Sequence, residues 1–190
     1  MKLIKRIFIV IALIVALVYL VIIPYIHQEA KKFSPAKTAQ LELKGSSLEV
    51  EYSSPSKKGR IIFGDLVPFG KVWRTGANEP TTFSTTQNIK IIDKTLPAGK
   101  YSLWTVPNRN SWKVIFNTQI PDWGVTRVDG NQTTHDPRFD YLTVEVPVKT
   151  LENPVENFSI DFEHLKEGIQ QQDYLDLAWD TTKIMIPIYK

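Results

Sequence analysis

Residues 48–53 read Leu-Glu-Val-Glu-Tyr-Ser, a strict alternation of apolar and polar side chains. Because successive side chains of a β-strand point to opposite faces, this alternation predicts a strand with one face in a core and the other in water. Five further runs show the same period of two. Their apolar positions are Trp112, Val114 and Phe116; Leu142, Val144 and Val146; Phe158, Ile160 and Phe162; Leu175, Leu177 and Trp179; and Ile184, Ile186 and Ile188.

Turn-forming residues separate these runs, for example Pro97-Ala98-Gly99 and Asn153-Pro154. About eight to ten short strands with such spacing are typical of an antiparallel sandwich or barrel rather than of βαβ units. Residues 165–172 have a non-strand composition and are predicted as a loop or one helical turn. The sequence therefore predicts an all-β domain over residues 41–190, an antiparallel β-sandwich of jelly-roll or immunoglobulin-like type.

The N-terminal segment is of a different kind. Residues 7–26 contain no charged side chain and follow the basic flank of residues 1–6, which holds Lys2, Lys5 and Arg6. A helix of that length spans about 30 Å, the thickness of the hydrocarbon core of a bilayer, and a basic flank favours a cytoplasmic N-terminus. A cleaved signal peptide is the alternative, but its shorter apolar region ends in small residues, whereas residues 21–23 are bulky.

We therefore expect an uncleaved, single-pass signal anchor over residues 7–26, with the lipid bilayer as its partner. Residues 27–40 are polar and are predicted to form a juxtamembrane linker, which places residues 41–190 on the extracytoplasmic side. Three of the 23 basic residues precede the linker, so the remainder of the chain carries 20 basic and 20 acidic side chains. This balance gives no electrostatic indication of nucleic-acid binding.

Three segments of the predicted domain carry a family resemblance: residues 60–79, which include Val-Pro-Phe-Gly-Lys-Val-Trp-Arg-Thr-Gly-Ala-Asn-Glu, residues 96–107 and residues 112–117. In order and spacing they resemble a bacterial family known as domain of unknown function 2911, over most of residues 45–163. The resemblance implies an uncharacterised β domain of the bacterial envelope, often behind a signal or anchor. The expected location is thus the bacterial cytoplasmic (inner) membrane, and the resemblance brings no reaction and no ligand.

The candidate ligand-binding residues lie in one glycine-containing loop: Lys71, Trp73, Arg74, Asn78 and Glu79. Because a planar guanidinium matches two oxygens of a carboxylate or phosphate, we expect the two cations to bind an anionic or hydroxylated ligand. The amide and carboxylate would orient this ligand, and the indole would form a wall. The alternative is structural: Arg74 and Glu79 pair with each other, Trp73 fills the core and Asn78 bonds nearby backbone.

Four tryptophans offer a second binding mode: Trp73, Trp104, Trp112 and Trp123. An exposed row of aromatic rings would bind carbohydrate, but burial is the default for so large an apolar side chain. Trp112 falls on a core-facing strand position, whereas Trp104 falls on a mixed face that is compatible with exposure.

No motif indicates catalysis. The chain has no cysteine, no Gly-x-Ser-x-Gly elbow and no phosphate-binding glycine loop, and its three histidines lack metal-ligand spacing. We expect neither metal nor cofactor, and His135 with Asp136 is predicted to be a solvated loop pair. The pattern favours a ligand-binding or interaction module whose partner is a small polar or carbohydrate ligand or an envelope protein. The alternative is an envelope hydrolase that acts on carbohydrate or ester substrates through a carboxylate pair, which leaves no local motif.

Overall fold

The computed structural model describes residues 2–126, 132–167 and 170–190. The chain divides into two compact units, Met1–Phe33 and Ser34–Lys190. The first unit is helical and consists of α1 (Lys2–Leu17), a π-helical turn (Val18–Ile22) and α2 (Ile23–Phe33). By length and composition, Leu3–Phe33 is a helix able to cross a membrane, and its most apolar stretch of 18 residues has a mean hydropathy of 3.3.

Pro24 accounts for the π-helical turn. Proline lacks an N–H group, and its ring clashes with the carbonyl four residues earlier, here that of Leu20. The turn directly before it widens the helix, and the Ile23 N–H bonds to the Val18 carbonyl, five residues back. The helix then continues to Phe33 and the first strand begins at Ala36, so the predicted linker, residues 27–40, contains helix and strand.

The second unit is all-β, as predicted. Its strands within the described residues are β1 (Ala36–Leu43), β2 (Ser46–Ser53), β3 (Thr81–Thr85), β4 (Ile89–Ile91), β5 (Lys94–Leu96), β6 (Gly99–Val106), β7 (Ser111–Asn117), β8 (Asp140–Glu167) and β9 (Gln170–Tyr189). They form one antiparallel sheet in the order β1-β2-β3-β6-β7-β8-β9-β4-β5. The arrangement of this sheet as a two-layered sandwich stays a prediction.

The period-two runs identify the core-facing side chains correctly. All six runs contribute buried residues to one hydrophobic core, in which Phe162 is only partly buried. Two strands are much longer than the short strands predicted, because β8 and β9 form one continuous hairpin. Residues 165–172, predicted as a loop or helical turn, are strand up to Glu167 and again from Gln170, and residues 168–169 lie outside the described part.

Irregularities bend the long hairpin around the core. The register between β8 and β9 shifts twice, between Thr150 and Val155 and between Val155 and Ser159. Opposite them, Asp180 of β9 has a φ of 53°. Such bulges leave residues unpaired and bend the strand, so the far half of β8 comes to lie beside the segment that follows β2, where the Phe158 N–H donates to the Pro55 carbonyl at 2.9 Å.

A second layer covers the outer face of β6 and β7. Trp104 and Ile115 are buried there although they lie outside the main core. The covering segment is the connection between β7 and β8, from which His135 places its ring 5.4 Å from that of Trp104. Trp104 is therefore not part of an exposed binding surface.

A partly buried charge cluster links β9 to β8. The Lys183 ammonium lies 2.5 Å from Asp176 Oδ2 and 2.9 Å from Glu163 Oε2, while Asp176 Oδ1 is buried and has no hydrogen-bond partner among the described residues. Burial raises the pKa of Asp176 to about 7; the Lys183 bond opposes this rise, and Glu163 adds to it. The Lys183 hydrogen bond lowers the pKa of Glu163.

Asp176 makes stability depend on pH. The folded protein holds the Asp176 proton up to about pH 7, whereas the unfolded chain releases it near pH 3.9. Between about pH 5 and 7 the folded state binds more protons, so the free energy of unfolding should fall as pH rises, by at most about 1.4 kcal/mol per unit. The lowered pKa of Glu163 makes the free energy of unfolding change with pH in the opposite direction, but at lower pH. Asp176→Asn should flatten this slope and raise stability at pH 8, as measured by denaturant unfolding.

Asp161→Asn is the matched control, because Asp161 is the exposed cross-strand neighbour of Asp176 on β8. It should keep the wild-type slope. An unchanged slope in Asp176→Asn would contradict the assignment of the buried proton to Asp176.

Candidate functional site

Trp73 belongs to a buried aromatic cluster. Its indole stacks on that of Trp179, with centroids 6.0 Å apart and planes 16° apart. Its edge-to-face partners are Phe63, Trp112 and Phe158. Such geometry adds about 0.5–1.5 kcal/mol per pair beyond area burial, so this cluster holds the start of the candidate loop firmly in the core.

The backbone of Trp73 is bound to β6. Its N–H donates to the Thr105 carbonyl at 2.7 Å, and the Thr105 N–H donates back at 3.0 Å. In such an extended bridge successive side chains point to opposite sides. Since the indole enters the core, Arg74 leaves it on the outer side.

The loop then turns through three positive φ values, at Thr75 (57°), Gly76 (144°) and Asn78 (59°). This conformation is strained for a β-branched residue such as Thr75. Hydrogen bonds hold it in place: Thr75 Oγ1 lies 3.1 Å from Thr105 Oγ1, and Thr81 Oγ1 donates to the Thr75 carbonyl at 2.5 Å. The conformation of the loop is therefore held by hydrogen bonds to neighbouring residues and not by the backbone preferences of its own residues.

Asn78 is a structural residue in this arrangement. It is buried, and its side-chain amide donates to the Ser34 carbonyl at 3.3 Å and to Ser53 Oγ at 3.4 Å. Its carbonyl accepts the Gly124 N–H at 3.0 Å. Glu79, the next residue, is partly buried.

An open pocket of about 660 Å³ lies beside Arg74. One wall comes from the chain between Asp65 and Arg74. The other comes from the connection between β7 and β8, where Val125 and Thr133 form an isolated antiparallel bridge. The lining residues are Asp65, Leu66, Val67, Pro68, Lys71, Val72, Trp73, Arg74, Val125, Gln132 and Thr133.

Of the five predicted site residues, the structure brings Lys71, Trp73 and Arg74 together in this pocket. Asn78 and Glu79 are not among its lining residues. The sequence reasoning missed Asp65-Leu66-Val67-Pro68, although this segment directly precedes the predicted loop. It also missed the second wall, which lies about fifty residues further on and carries no local signal.

Arg74 is the unusual group of the site. Its Nε is buried and has no hydrogen-bond partner in the described part of the chain. Burial lowers the pKa of its guanidinium. An ion pair with Glu79 would raise that pKa, whereas burial alone accounts for its lowering, which argues against the structural pair considered from the sequence.

Gly124 sets the position of Arg74. A Cβ atom at residue 124 would lie 2.3 Å from Arg74 Cδ and 2.9 Å from Arg74 Cβ. The glycine therefore lets the connection between β7 and β8 pack directly on the aliphatic part of the arginine side chain.

His135 does not form the predicted solvated pair with Asp136. Its side chain is buried, and its Nε2 lies 2.7 Å from Asp140 Oδ1, which also accepts from Asn117 Nδ2 at 2.7 Å. Asp136 is bound instead by Arg138, whose hydrogen bonds lower the pKa of that carboxyl to about 2. The prediction was wrong because it considered only sequence neighbours.

The other candidate chemistries find little support. The described residues contain no group of three or more His, Cys, Asp or Glu side chains able to hold a metal ion. Three of the four tryptophans considered for a carbohydrate platform are buried: Trp73, Trp104 and Trp112.

Comparison with protein families gives one result over most of this domain. The model for a protein of unknown function, DUF2911, matches residues 34–188. The chain belongs to the DUF2911 family. Searches of curated proteins and of solved structures returned no match. The DUF2911 match begins within two residues of β1 and ends within β9, so it includes both walls of the pocket.

The contact between Gly124 and Arg74 gives a testable consequence for the DUF2911 domain. Gly124→Ala should displace Arg74 and destabilise the protein by about 1–3 kcal/mol, as for other overpacking changes. In an Arg74→Ala background the clash with Cδ is absent, so the same substitution should cost less in a double-mutant cycle of unfolding free energies. Equal costs in both backgrounds would show that Gly124 does not act through Arg74.

Proposed function

We propose that this DUF2911 protein is a membrane-anchored binding module of the bacterial envelope and that its pocket binds the acid group of a small ligand. The proposal rests on one observation, the guanidinium of Arg74 in the pocket wall, whose buried Nε has no hydrogen-bond partner among the described residues. Guanidinium groups stay charged at neutral pH even when burial lowers their pKa. A charge removed from water without a partner carries a large energetic cost.

An acidic ligand would offset that cost. A carboxylate or phosphate that enters the pocket would accept hydrogen bonds from the guanidinium of Arg74, and charge-assisted bonds of this kind are about twice as strong as neutral ones. Lys71 lines the same pocket and is exposed, so it adds a second positive charge near the entering anion. Asp65 at the exposed edge would select against ligands that are negative over their whole length.

A hydrolase that uses carboxylate catalysis fits the described residues less well. Such an enzyme needs two carboxyl groups about 5–9.5 Å apart across its substrate. Among the described lining residues of this pocket, Asp65 is the one that carries a carboxyl group, and the Asp176–Glu163 pair is bound to Lys183 elsewhere. A binding role therefore accounts better for the pocket.

The anchoring part of the proposal rests on the apolar helix and on its basic flank, Lys2, Lys5 and Arg6. The positive-inside rule then puts the β domain outside the cytoplasm. Protease added to spheroplasts should degrade the domain while a cytoplasmic marker stays intact. A domain that resists protease until the membrane is lysed would contradict the proposed topology.

The binding part is tested by Arg74→Met, which keeps an unbranched side chain and removes the charge. Replacing a buried, uncompensated charge by an apolar group should change the unfolding free energy by less than about 1 kcal/mol, or increase it. The full-length wild type, in nanodiscs of neutral lipid, should be stabilised by organic acids and not by the matched neutral amides. At 100-fold excess over Kd, we expect a Tm increase of about 5–10 °C, and Arg74→Met should abolish it.

Arg109→Met is the matched control. Arg109 is exposed, its guanidinium lies 5.1 Å from the centre of the Phe69 ring, and it does not line the pocket. This variant has the same net charge as Arg74→Met and should keep the full response to acids. A loss of about 3–5 kcal/mol in Arg74→Met would reveal a buried partner carboxylate instead, and would retire the binding proposal.

A further inference from the structure

We propose that the ligand of the Arg74 pocket is a soluble organic acid with an unbranched aliphatic or aromatic body. The acid group would bind at Arg74, and the apolar body would lie between the two walls. This inference rests on the proposed function, because it takes Arg74 as the acceptor of the acid group. It adds the chemical nature of the rest of the molecule.

The size of the pocket excludes a bare ion as its natural occupant. A volume of about 660 Å³ is in the range of clefts that hold drug-sized molecules, about 300–1,000 Å³. One water occupies about 30 Å³ of the liquid, so this space corresponds to roughly twenty waters. A phosphate or sulfate ion would leave most of it filled with solvent.

The walls of the pocket favour an apolar body. Four of its aliphatic side chains keep part of their surface open: Leu66, Pro68, Val72 and Val125. Leu66 is the clearest case, with 45% of its surface exposed. A ligand body that covers these side chains would remove apolar surface from water on both partners, which is favourable in proportion to the area buried.

The charges lie on one side of the pocket. Both cations, Lys71 and Arg74, belong to the wall formed by residues 65–74, whereas the described part of the opposite wall contributes Val125, Gln132 and Thr133, which are uncharged. A ligand with an acid group at one end and an uncharged body matches this asymmetry. A second acid group on the body would meet no cation among the described residues of that opposite wall.

The test compares ligands that have the same carboxylate group and aliphatic bodies of different length. Binding of acetate, butanoate and hexanoate to the full-length protein in phosphatidylcholine nanodiscs is measured by calorimetry, with phosphate and glucuronate alongside. We expect affinity to rise about threefold per methylene, so that hexanoate binds roughly 50- to 100-fold more tightly than acetate. Phenylacetate should bind in the range of hexanoate, whereas phosphate and glucuronate should bind no better than acetate.

Leu66→Ser probes the apolar wall without removing a buried side chain. It should weaken hexanoate binding about three- to tenfold and leave acetate binding unchanged. Ile61→Ser is the matched control, because Ile61 is 68% exposed in the same part of the chain and does not line the pocket. This control should bind every acid like the wild type.

The outcomes separate the two proposals. Equal affinities for acetate, phosphate and hexanoate, all lost in Arg74→Met, would overturn the apolar body and leave the acid site in place. Tighter binding of glucuronate than of hexanoate would also overturn the apolar body, in favour of a carbohydrate acid. Hexanoate binding that persists unchanged in Arg74→Met would overturn both, because the acid group would then not be bound at Arg74.

Discussion

The insertion of Trp73 into the aromatic cluster determines where Arg74 lies. Two backbone hydrogen bonds to Thr105 keep the chain extended at this point, and the stacking on Trp179 fixes which side of the chain faces the core. In an extended chain the next side chain must then point outward. A core interaction therefore positions a charged group on the outer side of the sheet, beneath the connection between β7 and β8.

That position is energetically costly, and the cost is local. The Nε of Arg74 is buried without a hydrogen-bond partner in the described part of the chain, and Thr75 directly after it has a φ of 57°. Both features persist because neighbouring contacts hold them. The aromatic cluster lies on one side. On the other side, the Asn78 side-chain amide donates to the Ser34 carbonyl, and the Asn78 backbone carbonyl accepts from the Gly124 N–H. Strain and unpartnered polar groups that are held by a rigid surrounding structure are typical of binding sites. In this DUF2911 domain they occur within the same five residues.

Local patterns predicted the strands, whereas contacts between distant residues could not be predicted. The alternation around Val50, Val114 and Leu177 identified core positions because a strand with one buried face leaves a period of two in the sequence. The Asn78–Ser34 bond, between residues 44 positions apart, left no such trace. The polar composition of residues 27–33 predicted a linker, whereas the structure continues the helix to Phe33. A polar composition is compatible with both an amphipathic helix and a linker.

The candidate site shows the same limit. Lys71, Trp73 and Arg74 were recognised because they lie close together in the sequence, and Asn78 and Glu79 were included for the same reason although they do not line the pocket. The opposite wall, around Val125, belongs to the connection between β7 and β8. The strand pattern does not predict where this connection lies in the fold. The depth at which Arg74 is buried depends on Gly124, fifty residues away, and so follows only from the folded structure.

A crystal structure of the protein with bound hexanoate tests the central claim most directly. The account predicts a carboxylate oxygen of the ligand at about 2.7–2.9 Å from a guanidinium nitrogen of Arg74, the distance of a charge-assisted hydrogen bond, with the carbon chain against Leu66 and Val125. A structure in which a carboxylate of the protein itself occupies that position would contradict the account, and so would hexanoate bound away from Arg74.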